Sequence, residues 1–249
     1  MLITSSYVDV STSDGGSMRT FVAAPKLKTK YPGIIYYSDI FQLTGPMLRS
    51  CARLAGYGFV VAAPEIYHRL EPPGAVIPFD DDGRSRGLEN ASQTSVAHFD
   101  LDCRAALSYL TKHPNVAPEQ IGAAGFCLGG HLAFRAALQP EVRATACFYG
   151  TGIHNGKLGE DADAGSLQRA AEIRGELLLV WGIDDPHIPE HGRERIAGTL
   201  RAAGTSFSQQ LYQAEHAFMR DEGARYDPEA TDQAFGEMIG FYRRVFPCG

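Results

Sequence analysis

The chain has 249 residues, 44% of them hydrophobic, and a formal net charge of −6. That length is enough for one α/β domain with a sizeable core, and the acidic balance argues against a nucleic-acid partner held on a basic face. No apolar run reaches the ~18 residues needed to cross a bilayer, and the first six residues, Met1-Leu2-Ile3-Thr4-Ser5-Ser6, lack the basic-then-apolar pattern of a secretory leader, so the expectation is no membrane contact.

Residues 7–10 and 20–23 flank Asp14-Gly15-Gly16 and predict an opening hairpin. Residues 33–37 form a buried strand, residues 46–57 a helix that starts near Pro46 and stops by Gly58, and residues 59–63 the next strand. The stretch 68–90 has no clear period and contains Pro72-Pro73-Gly74, Pro78 and Asp80-Asp81-Asp82-Gly83. A loop of that length is usually functional or mobile, so it reads either as a solvated insertion or as a cap over a site. Val96, Phe99, Cys103, Leu107 and Leu110 recur at helical spacing. Strands follow at 121–124, 144–149, 176–182 and 206–212, with a helix at 131–138 and a terminal helix marked by Phe235, Met238, Ile239 and Tyr242. Strands alternating with helices predict a single domain over 1–249, with a mostly parallel sheet covered on both faces.

Between the strand at 121–124 and the helix at 131–138 stands Gly125-Phe126-Cys127-Leu128-Gly129-Gly130. A nucleophile flanked by glycines at a strand-to-helix turn is the nucleophile-elbow pattern, because larger neighbours would collide at so sharp a bend. The competing reading is a glycine-rich turn around a buried structural cysteine. In this arrangement an acid and then a histidine follow the nucleophile in the chain. The strand at 176–182 delivers Asp184 and Asp185, and the strand at 206–212 delivers His216, all at the sheet edge where open α/β folds build their sites. The thiolate is the working form of cysteine. His216 can take its proton, an aspartate can orient His216, and the backbone N–H groups of Leu128 and Ile40 can receive the charge that develops on a carbonyl oxygen. His187 and His191 have i, i+4 spacing, yet no third convergent ligand is nominated, so neither a metal nor any cofactor is expected. The five cysteines, Cys51, Cys103, Cys127, Cys147 and Cys248, are scattered and fit a reducing cytoplasm. Of these, Cys51, Cys103 and Cys147 lie on apolar faces and read as small core residues.

These residues carry a resemblance to the dienelactone hydrolase family of the α/β-hydrolase superfamily. Besides the elbow, Ser38-Asp39-Ile40-Phe41, Pro64-Glu65-Ile66-Tyr67, Phe148-Tyr149-Gly150 and His216-Ala217-Phe218-Met219-Arg220 resemble family motifs in the right order. The resemblance implies an α/β-hydrolase fold and hydrolysis of a small carboxylic ester or lactone, as by a carboxymethylenebutenolidase. It favours Asp185 over Asp184, because Asp185-Pro186-His187-Ile188-Pro189 fits the family's spacing of acid, aliphatic and proline. It places Asp39 where the family has a glutamate that pairs with the resting nucleophile, although the aspartate is one methylene shorter. It implies that Arg220, with Arg86 as a second candidate, holds a substrate carboxylate through a two-pronged contact, and that Tyr149 lines the substrate. The partner is then a small ester or lactone that can carry a carboxylate, and the chain is a monomer or a homodimer. Two other readings stay open: an esterase of the same fold with another substrate, and a non-catalytic protein whose Cys127 responds to oxidants.

Overall fold

The computed structural model describes residues 1–246, and within them eight strands form one sheet in the order β1-β2-β4-β3-β5-β6-β7-β8. β1 (Ile3–Ser11) and β2 (Ser17–Pro25) are the predicted hairpin, and β2 also runs antiparallel to β4 (Val60–Pro64). From β4 onward every pairing is parallel: β3 (Tyr31–Tyr37), β5 (Val116–Phe126), β6 (Val142–Phe148), β7 (Glu176–Gly182) and β8 (Phe207–Tyr212). The middle strands are almost wholly apolar, as a sheet covered on both faces requires. This is the strand order expected of an α/β-hydrolase.

Two helix pairs cover the two faces. On one, α1 (Gly45–Gly56) meets α6 (Pro228–Val245): the Arg53 guanidinium lies 4.1 Å from the centre of the Phe235 ring and 3.0 Å from Asp232. On the other, α3 (Val96–Lys112) meets α4 (Leu128–Ala136), where buried Arg135 donates to both oxygens of Asp100 at 2.8 and 2.6 Å. β3 sits between β4 and β5, so the chain leaves β3 toward one sheet edge and returns to continue toward the other. The loops after β3 and β5 therefore diverge, and the crevice between them is where such sheets bind ligands.

Two helices depart from the sequence expectation. α2 (Asp81–Ser92) occupies part of the stretch 68–90, headed by Asp80, whose carboxylate accepts from Gly83 N at 2.7 Å. It has no apolar stripe to betray it, because it lands on the protein through Gly83, Gly87 and Asn90. α5 (Glu190–Ala203) buries Gly192, Arg193, Ile196, Ala197 and Leu200, a helical spacing hidden by a glycine and an arginine. Its flanks, Pro189 before it and left-handed Gly204 after it, are the signals that mark such an end pair.

Cys51, Cys103 and Cys147 are buried, and burial pushes each thiol upward out of the reactive range. Cys248 lies outside the described residues. Among those described, no helix is long and apolar enough to cross a membrane.

Candidate active site

Cys127 stands between β5 and α4 with φ 55° and ψ −119°, a left-handed conformation costly for a side-chain-bearing residue. The surroundings enforce it. A Cβ on Gly129 would lie 2.2 Å from the Ser38 carbonyl oxygen, and one on Gly125 would lie 2.0 Å from that of Gly129. Only glycines let β3, β5 and α4 approach this closely. Cys127 N donates to Phe148 O at 3.1 Å, and Cys127 O accepts from Gly130 N and Thr151 N at 3.0 and 3.1 Å. The N–H groups of Leu128 and Ile40 make no hydrogen bond to a backbone or side-chain acceptor among the described residues.

His216 arrives from β8 and Asp185 from β7. Gly182, the last residue of β7, makes their meeting possible: a Cβ there would lie 2.4 Å from Ala214 O, so only a glycine lets the loop before His216 fold over the strand end. His216 Nδ1 lies 2.7 Å from Asp185 Oδ2, and both side chains are buried. The other Asp185 oxygen accepts from His187 N at 2.8 Å. Asp184 turns outward to accept from the Gln213 amide.

Burial is the largest single influence on His216 and pushes its pKa down. The negative charge and hydrogen bond of Cys127, together with those of Asp185, outweigh it and raise the pKa to about 9. At neutral pH that direction favours the protonated form of His216, held beside Asp185.

The Asp39 carboxylate is held by Arg220 and by its own loop. Its Oδ2 accepts from Arg220 Nη2 at 2.7 Å and Nε at 3.2 Å, and its Oδ1 accepts from Phe41 N at 2.9 Å. Arg220 in turn packs on the edge-to-face pair of Phe41 and Phe79, 4.7 and 4.6 Å from their ring centres. The neighbouring acids Asp221 and Glu222 pair with Arg49 instead. Arg86 sits on α2, bonded through Nε (2.7 Å) and Nη2 to the Glu71 carboxylate. Tyr149, in a strained backbone conformation at φ 38°, sets its ring edge-on to His216 with centroids 5.1 Å apart. Tyr149 and Phe126 also line a cavity of about 350 Å³, open mouth included, whose other walls include Asp39, Ser50, Met219 and Arg220.

Two participants escape sequence reasoning: Phe79, and His187 as a neighbour of His216. His187 packs edge-on against His216 at 4.7 Å, and burial lowers its pKa, so it is a neutral neighbour. Phe79, in the unpatterned stretch, supplies the second ring against which Arg220 packs. His131 is fully buried: Nδ1 lies 2.9 Å from Thr151 O and Nε2 2.7 Å from Ser166 Oγ, which ties α4 to the loop that also holds the Cys127 carbonyl. Burial drives its pKa down to about 3, so it stays neutral. His191 faces His154 rather than His187.

The profile of the dienelactone hydrolase family matches residues 18–246. A Saccharomyces cerevisiae protein provisionally named a carboxymethylenebutenolidase is 38% identical over 98% of this chain and 93% of its own length. A carboxymethylenebutenolidase of a Pseudomonas species is 24% identical over 97% of this chain and 96% of its own. Among solved structures, a Klebsiella pneumoniae protein provisionally named a dienelactone hydrolase superposes with a TM-score of 0.87 at 24% identity, covering 98% of this chain and all of that one.

Proposed function

The chain belongs to the dienelactone hydrolase family, and from that premise we propose that it hydrolyses small carboxylic esters or lactones through a Cys127-His216-Asp185 triad. The observation that carries this reading is a buried His216 bonded to Asp185, its pKa raised by the nearby Cys127 on a strained elbow. Cys127 Sγ, as thiolate, attacks the carbonyl carbon. The charge that forms on oxygen is received by the N–H groups of Leu128 and Ile40, each such donor contributing about 3 kcal/mol of barrier lowering. When the tetrahedral carbon collapses, the C–O bond breaks and His216 gives its proton to the leaving oxygen. A water then attacks the thioester, His216 takes its proton, and the carboxylate product leaves as the thiolate is restored. For a lactone the two products remain one molecule, a hydroxy acid. Asp185 keeps the His216 ring oriented throughout.

The relatives' name denotes a lactone with a carboxymethylene group, so butenolide-type lactones are the first substrates to assay. The test is ester hydrolysis before and after alkylation of the protein with iodoacetamide. One alkyl group on Cys127 should abolish turnover. Full turnover after Cys127 is alkylated would remove the triad. Failure to hydrolyse any ester, with Cys127 reversibly oxidised by peroxide, would favour the redox-responsive alternative.

A further inference from the structure

Gln42 belongs to the loop after β3 that also carries Asp39 and Ile40, and its backbone is left-handed at φ 65°. Glycine takes that conformation freely, whereas a residue with a side chain keeps it only where its surroundings hold it there. The side chain shows what holds it. Gln42 is buried, at 1% exposure, with both ends of its amide engaged. Its Oε1 accepts from Tyr67 N at 3.1 Å, and its Nε2 donates to Ala75 O at 3.2 Å. One partner is a donor and the other an acceptor, so only one orientation of the amide satisfies both.

Both partners lie in the long stretch after β4, and that stretch grips the loop at further points. Ile77 N donates to Phe41 O at 3.3 Å. Gly87 on α2 comes so close that a Cβ there would lie 2.5 Å from Ile40 O, and Tyr67 Oη donates to Gly87 O at 3.1 Å. The Ala75 end is itself anchored, because Gly74 N lies 3.1 Å from both oxygens of buried Glu65. Within the loop, Phe41 N donates to Asp39 Oδ1 at 2.9 Å, and Gln42 N donates to Asp39 O at 3.2 Å. The N–H of Ile40, between Asp39 and Phe41, is left without a backbone or side-chain acceptor among the described residues.

We propose that Gln42 is a positioning residue for hydrolysis: its amide locks the loop at 39–42 onto the stretch at 67–77 and so holds the Ile40 N–H in place as an oxyanion donor. The role rests on the hydrolase reading and deepens it, because such a donor lowers the barrier only if it is fixed before the charge develops.

The test follows two reactions of Cys127. Turnover of para-nitrophenyl acetate needs the oxyanion donors. Alkylation by iodoacetamide does not, since the thiolate displaces iodide and no oxyanion forms. Gln42→Gly accepts the same φ without strain and removes both amide bonds. Gln42→Asn also tolerates that φ and is a methylene too short for both partners, so it serves if the glycine variant folds poorly. Each should lower kcat about 10²-fold, the scale of a misplacement of about 1 Å, with KM and the alkylation rate close to wild type. The proposal is overturned if a folded variant keeps the wild-type kcat. It is equally overturned if alkylation slows as much as turnover, which would make Gln42 a general support of the fold. Folded wild-type protein without turnover would instead overturn the hydrolase reading, and the positioning role with it.

Discussion

Asp184 and Asp185 are adjacent in the chain, yet their surroundings give them different uses. Asp185 is buried against His216, while Asp184 is exposed beside Gln213. Asp185→Asn should therefore cut turnover by about 10³–10⁴-fold, and Asp184→Asn should do far less. The pH profile gives the same distinction a sign. In the proposed mechanism His216 gives a proton to the leaving oxygen, so kcat/KM should fall as pH rises through about 9, where His216 loses it. Asp185 helps raise that pKa, so Asp185→Asn should move the falling limb to lower pH, and Asp184→Asn should leave it in place. Matching limbs in both variants would contradict the assignment. At this scale the sequence is uneven. Cys127, Asp185 and His216 are legible because a motif and three strand ends announce them. The partners of Asp39 and Arg86 are not, because ion pairs between residues 39 and 220, or 71 and 86, leave no periodic trace.

The elbow shows how an element can be dictated by what it must avoid. Ser38 O lies where a Gly129 side chain would begin, and both belong to backbone that cannot step aside without shifting β3 or α4. Gly129→Ala should destabilise the fold by about 1–3 kcal/mol or more, as overpacking does. Gly236→Ala on α6, where nothing lies within 4 Å, should be neutral or mildly stabilising, since alanine favours helix. Chemical denaturation of the two variants checks this, and equal effects would refute it. The strands and the α1, α3, α4 and α6 helices were readable because each buries an apolar face. α2 and α5 were not, because glycine, asparagine and arginine stand where apolar residues would mark the inward side. What an apolar pattern reports is burial of hydrocarbon, and α2 instead meets its neighbours largely through backbone.

At the scale of the whole molecule, the sheet is what brings distant residues together. Asp39, Cys127, Tyr149, Asp185 and His216 leave the carboxyl ends of β3, β5, β6, β7 and β8, and parallel pairing puts all five ends on one edge. The crossover between β4 and β5 opens the crevice where Cys127 faces the Asp39 loop. No local stretch encodes that meeting, yet strand alternation and the elbow together predict it. The central claim, that a carbonyl carbon is carried on Cys127 during turnover, is tested most directly by mass spectrometry of protein quenched in acid while hydrolysing an ester in excess. The account predicts a mass increase equal to the acyl group, confined to the peptide containing Cys127 and absent from Cys127→Ala. An acyl group on any other residue, or undiminished turnover in Cys127→Ala, would contradict it.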